Sequence, residues 1–316
     1  MKCTLSKIIL PLCLTALPLA QATPFQKNDV PADPVWVAHM DFDRLRSTTI
    51  GQVIIGEMDK PEVKDKLAAF QAMFRFDLRT QLHGVTVYGK SATPEEGVLV
   101  AYADFDADHL ATLAKGAKDY KSTEHNGHTI HNWIDESRHH HVSSDGRTYA
   151  ATHGSRLIFS QTEEAVAKAL DVLDKSAPNL TAGKPFPALE SNSAFFQAAT
   201  QKLKLPEGDP QAAVFRLSKT IHFEVGEDQK QLSANLQLIA SDEEVAKQIA
   251  SIGQGLISLI KLQQQEHPEL GKFADALKLT QDANEVTVTM SLASSDLVDI
   301  LKAHGAKKEK AEKKSE

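Results

Sequence analysis

The chain has 316 residues, with 42 Asp and Glu against 35 Lys and Arg, a formal charge of −7, 41% hydrophobic residues and only two cysteines, Cys3 and Cys13. The acidic balance argues against binding a nucleic-acid backbone, which needs clustered Lys and Arg. The length and apolar share suffice for one large core or two ordinary ones.

Residues 1–22 read as a secretory signal peptide. Lys2 and Lys7 form a basic start, an apolar run from Ile8 to Ala20 follows, and Ala20-Gln21-Ala22 supplies a small-x-small site with cleavage between Ala22 and Thr23. Thirteen apolar residues reach only about 20 Å as a helix, short of the ~30 Å hydrocarbon core. Leu12 before Cys13 does not suit a lipoprotein site. No later run approaches ~20 apolar residues, so no transmembrane segment is expected in the mature chain. The expected address is outside the cytosol: periplasm, cell surface or extracellular. Cleavage removes both cysteines and two lysines and moves the charge from −7 to −9. Disulfides, thiolate nucleophiles and cysteine-held metals leave with the signal peptide.

Residues 23–34 (TPFQKNDVPADP) are polar and proline-rich and are expected to form a flexible lead-in. Beyond them one pattern recurs: a β-type run stops at a capping residue and an amphipathic helix begins. It appears from Val35, Val98, Leu157, Leu236 and Val286. At each turn an Asp, Ser or Thr can accept hydrogen bonds from the free N–H groups of the first helical turn. Helical periodicity joins Val63, Leu67, Phe70 and Phe74, and also Val245, Ile249, Ile252 and Leu256. Alternation in Leu232–Leu238 and Val286–Met290 predicts strands with one buried and one wetter face. The expected class is therefore α+β: antiparallel or mixed sheets with helices packed on one face, in two similar halves, 35–180 and 190–305. The proline-rich stretch from Ser176 is the expected joint. Residues 306–316, with five lysines and three glutamates, are expected to be a disordered tail.

Histidine is the strongest local bias. Seven of thirteen lie within 29 residues: His125, His128, His131, His139, His140, His141 and His153. Imidazole is the ligand that a cysteine-free exported protein has for zinc, copper or nickel. On strands His139 and His141 share a face, whereas His128 and His131 point to opposite faces. The expected site is His139 and His141 with either His128 or His131 across the ladder, and Asp135 or Glu136 nearby. No HExxH fixes such a geometry, and a solvated hairpin rim is the competing reading.

Other motifs carry less. Asp41-Phe42-Asp43 and Asp104-Phe105-Asp106 fall at strand-to-helix turns, where capping accounts for them. Asp104-x-Asp106-x-Asp108 fails as an EF-hand, with His109 at the glycine position and Lys115 at the glutamate position. Ser258-x-x-Lys261 has no partner motif and falls within a helical pattern. There is no GxSxG, Walker A loop or GxGxxG.

The string LIFSQTEEAVAKALDVLDKSAPNL resembles a stretch in uncharacterised secreted bacterial proteins with the same strand and capped-helix layout. That resemblance implies export and the layout, and brings no activity and no catalytic residues. The leading expectation is a non-enzymatic envelope or extracellular interaction module with an unknown protein or envelope partner. The alternative is a histidine-based divalent metal-binding or buffering protein, and the third reading is a hydrolase without a recognisable motif.

Overall fold

A computed structural model describes residues 24–91, 97–135, 146–182, 186, 189, 193–201, 213–264 and 268–300. The signal segment with its Ala22–Thr23 cleavage point, the histidines at 139–141, Glu136 and the tail 306–316 lie outside the described residues.

Twelve strands form one antiparallel sheet. They are β1 (Trp36–Asp41), β2 (Leu82–Gly89), β3 (Val98–Ala103), β4 (Lys121–His125), β5 (His128–Ile134), β6 (Arg147–His153), β7 (Arg156–Ser160), β8 (Ala194–Gln201), β9 (Ser218–Asp228), β10 (Gln231–Ala240), β11 (Leu277–Asp282) and β12 (Glu285–Ala293). The helices include α1 (Phe42–Ser47), α2 (Thr49–Met58), α3 (Pro61–Phe74), α4 (Ala107–Lys115), α5 (Glu163–Leu173), α6 (Ala213–Arg216), α7 (Glu243–Gln263) and α8 (Pro268–Ala276). The α+β class holds, and every described strand pairing is antiparallel.

Four of the five expected strand-to-helix turns carry the side-chain cap that the sequence implies. Asp41 accepts from the Arg44 N–H (2.8 Å), Asp106 from His109 (3.0 Å), Thr162 from Ala165 (3.3 Å) and Asp242 from Val245 (2.9 Å). Each such cap contributes about 1 kcal/mol by satisfying an N–H that the helix leaves open.

The sheet order is β11-β12-β10-β9-β8-β1-β2-β3-β7-β6-β5-β4, with β1 and β2 as its middle pair. On one side β1-β2-β3 meander, and β4 to β7 return so that β7 pairs with β3. On the other side β8-β9-β10 meander, and β11-β12 return so that β12 pairs with β10. The sheet runs unbroken from one half to the other through the β1–β8 ladder, Trp36 opposite Thr200 and Met40 opposite Phe196.

Two cores flank this sheet. Val166, Ala169, Leu170 and Leu173 of α5 pack with Val37, Val100, Ile130, Ala151 and Ile158. Ala246 and Ile249 of α7 pack with Ile221, Leu238 and Val286. Ala199 of β8 belongs to the first core, while its neighbour Thr200 pairs with Ile221 of the second. Adjacent strand residues face opposite ways, so the two cores lie on opposite faces of one sheet. Each helix–sheet layer is one-sided, as the alternation implied, but the two layers use different sides.

Residues 24–34 correct the flexible lead-in. They hold a short 3-10 turn (Lys27–Asp29), and Val30 is fully buried. The Leu180 N–H donates to the Val30 carbonyl and the Ala32 N–H to Pro178. The expected joint thus begins as part of the first core, with Leu180, Phe186 and Leu189 buried in it. A buried polar chain anchors this strap. Asp29 receives the Arg156 Nε–H (2.7 Å) and the Tyr102 hydroxyl (3.0 Å); Thr86 Oγ1 lies 3.5 Å from that hydroxyl, and His39 Nδ1 lies 2.9 Å from Thr86. Composition suggested a free segment because it is polar and proline-rich, but a buried charge such as that of Asp29 is retained where it is paired.

Candidate metal centre

Four local features build the centre. Asn126 (φ 50°) and Gly127 (φ 86°) make the tight β4–β5 turn, a conformation that suits Asn-Gly because a left-handed backbone penalises most side chains. The turn sets His125 directly opposite His128. Gly154 (φ 58°) turns the chain just after His153, which closes β6. α5 starts beyond the far end of β7 and runs back, so its last turn brings Asp171 and Asp174 to the end of the sheet where these histidines sit.

Strand parity puts the side chains on one side. His128 lies two residues before buried Ile130, and His153 two residues after buried Ala151. Both imidazoles meet the Asp174 carboxylate, His128 Nε2 at 2.9 Å from Oδ2 and His153 Nε2 at 3.0 Å from Oδ1. The two rings have centroids 5.2 Å apart. One donor atom from each of the three residues lies within 4.8 Å of the others. Beside them His125 Nε2 (2.8 Å) and Asn126 Nδ2 (3.0 Å) meet Asp171 Oδ1.

The electrostatics favour a cation. The C-terminal end of α5 carries partial negative charge, and two carboxylates are added to it. Burial pushes the Asp174 pKa up, but hydrogen bonds from His153 and His128 outweigh that and hold it below the usual carboxylate range.

The centre differs from the expected set. His128 belongs to it. His131 does not: it faces the other way, 2.8 Å from the Tyr120 hydroxyl, and burial, aided by the Lys115 charge, pushes its pKa down. His139 and His141 lie outside the described residues. The strand ends that flank them, Ile134 and Arg147, are six positions from His128 and His153 along β5 and β6, about 20 Å away at a strand rise of ~3.3 Å. The fitting partners are His153 and Asp174. Their signal was the two-residue spacing of His153 from Ala151 and the i, i+3 pair Asp171/Asp174 at a helix end.

The two Asp-Phe-Asp motifs meet through an unanticipated histidine. Asp41 and Asp106 cap helices, whereas Asp43 and Asp104 grip the two ring nitrogens of His83 at 3.0 and 3.1 Å. Burial lowers the His83 pKa, but the two carboxylates more than offset it and hold it above the usual histidine value. The clamp's stabilisation is therefore complete below about pH 6.5 and is lost as pH rises through the raised folded value. A urea-midpoint series should show wild type gaining on His83→Gln as pH falls through that window. Parallel pH profiles would refute the clamp.

Fold and centre together define an antiparallel α+β protein with a histidine–carboxylate triad at one end of its sheet. The chain matches no described family and no curated protein sequence. Its structure is similar to that of TP0453: crystal form III aligns with a TM-score of 0.50 at 8% identity, over 90% of this chain and 100% of that one. Crystal form I aligns with a TM-score of 0.47 at 10% identity, over 90% and 98%. At such identity the likeness concerns the fold alone.

Proposed function

We propose that this is an exported protein that binds a divalent transition metal ion, of the zinc, copper or nickel class, through His128, His153 and Asp174. The observation that carries the reading is the convergence of two imidazole Nε2 atoms on one carboxylate. Two nitrogens and one oxygen suit borderline ions, whereas calcium and magnesium prefer oxygen alone. Buried His153 Nδ1 has no hydrogen-bond partner among the described residues. Ligating imidazoles ordinarily donate that second N–H, so the expected affinity suits exchange and buffering rather than permanent structure.

Calorimetric titration with Zn²⁺ tests this. Binding tighter than about 100 µM is expected at neutral pH, weakening on acidification because protons compete for the ligand nitrogens. His128→Ala and His153→Ala should each weaken it, and His131→Ala should not. Unchanged affinity in both of the first two variants would remove the centre from the molecule.

A second reading, an envelope interaction module, draws on α7. Leu259 and Leu262 lie one turn apart and are 56% and 73% exposed, an apolar stripe of the kind that marks interaction surfaces when it forms part of a larger patch. Both readings place the protein outside the cytosol, and the recovered chain should begin at Thr23 on N-terminal sequencing.

A further inference from the structure

We infer that an ion at His128, His153 and Asp174 keeps at least one coordination position open to solvent, where a small monodentate donor, neutral or singly charged, exchanges with water. The inference rests on the metal reading above and adds to it the class of ligand that the bound ion accepts.

Ligand number comes first. Zinc and similar ions take at least four ligands, and three protein ligands plus water is the arrangement of exchangeable sites. The triad supplies three donor atoms within 4.8 Å, and no other His, Asp or Glu among the described residues joins that group. The neighbouring groups are committed elsewhere: His125 and Asn126 hold Asp171, and His131 lies on the opposite face with Tyr120.

Direction comes second. Each ligand sits one step from a core residue on its own element: His128 two residues from Ile130, His153 two from Ala151, and Asp174 four from Leu170. These three core residues are 1%, 2% and 0% exposed, so the inner side is closed by hydrocarbon. The ligand side chains are themselves 24%, 25% and 29% exposed. The triad is therefore a ring at the rim of the core, and a fourth position points outward.

Charge selects the donor. A divalent ion with Asp174 carries about one positive charge, enough to hold a water, an azide or a carboxylate. The carboxylate of Asp171 and the negative end of α5 stand close by and disfavour a multiply charged anion such as phosphate. A water in that position becomes a stronger acid, as metal-bound waters do.

Cobalt(II) makes the position visible, because its visible absorption reports coordination number and ligand type. The purified protein should develop a cobalt band on titration, and azide should shift that band saturably. In the His128→Ala/His153→Ala variant both the band and its azide response should be absent. A cobalt band that azide leaves unchanged would overturn the open position and leave the metal reading standing. No cobalt band, or an azide response that persists in the double variant, would overturn the metal centre and this inference with it.

Discussion

Asp174→Asn is expected to abolish metal binding at the triad while leaving the fold intact. The carboxylate does two things at once: it holds both Nε2 atoms at 2.9 and 3.0 Å, and it is the sole anionic member of the triad. Asparagine keeps the shape but removes the charge, and its amide nitrogen cannot accept a hydrogen bond. Changes in residues that merely orient a metal ligand cost roughly 10–100-fold in affinity, so losing the charged ligand itself should exceed about 100-fold. Stability should change little, because all three side chains are about a quarter exposed and exposed ion pairs contribute weakly. The informative control is His139→Ala/His141→Ala. In sequence they fall between Ile134 and Arg147, the ends of β5 and β6 remote from the triad, so Zn²⁺ affinity should be unaffected. Zinc titrations of the two variants check this together. Loss of binding in the 139/141 variant with retention in Asp174→Asn would show that the centre has been placed at the wrong end of the sheet.

Asp29→Ala should be the most destabilising single substitution in the strap. The Asp29 side chain is 8% exposed and takes Arg156 on both oxygens and the Tyr102 hydroxyl on one. Removing it leaves the buried Tyr102 hydroxyl and the Arg156 charge without their acceptor. Breaking one partner of a buried pair costs about 3–5 kcal/mol. Arg156 is 28% exposed, so water recovers part of its hydration and the expected loss is near the lower end, about 3 kcal/mol. The effect should spread along the chain, since Tyr102 is linked through Thr86 to His39 and Phe25 packs on that imidazole at 5.7 Å. Urea denaturation of wild type and variant measures it. A difference under about 1 kcal/mol would mean that the strap is held by Val30 and backbone bonds alone. Replacing Asp29 and Arg156 together with apolar residues should cost much less than the single change, because no buried charge is then stranded.

Much of the secondary structure was legible because its causes are local. Asp41, Asp106, Thr162 and Asp242 each cap a helix three residues ahead, a contact that a short stretch of chain contains in full. The alternation in β10 and β12 predicted two strands; the structure adds that they pair with each other, from Gln231 opposite Ala293 to Ile239 opposite Glu285. Parity correctly separated His128 from His131. The strap was misread because its stabilising partners, Tyr102, Arg156 and Pro178, lie 73 to 146 positions away and no local pattern announces them.

The candidate metal centre divides along the same line. Histidine enrichment and strand parity are properties of neighbouring residues, and by themselves they identified imidazole chemistry and put His128 on a definite face. Which ligands join it depended on the ladder order β5-β6-β7 and on α5 returning across that ladder. Those relations bring His153 and Asp174, 25 and 46 residues beyond His128, within hydrogen-bonding distance. The amino-acid sequence alone determined the α+β class, the starts of α1, α4, α5 and α7 and the kind of ligand available, because these follow from hydrogen bonds and periodicities spanning a few residues. Only the tertiary structure decided that two cores occupy opposite faces of one sheet and that a carboxylate at a helix end completes the triad, because long-range pairing sets which distant residues share a surface.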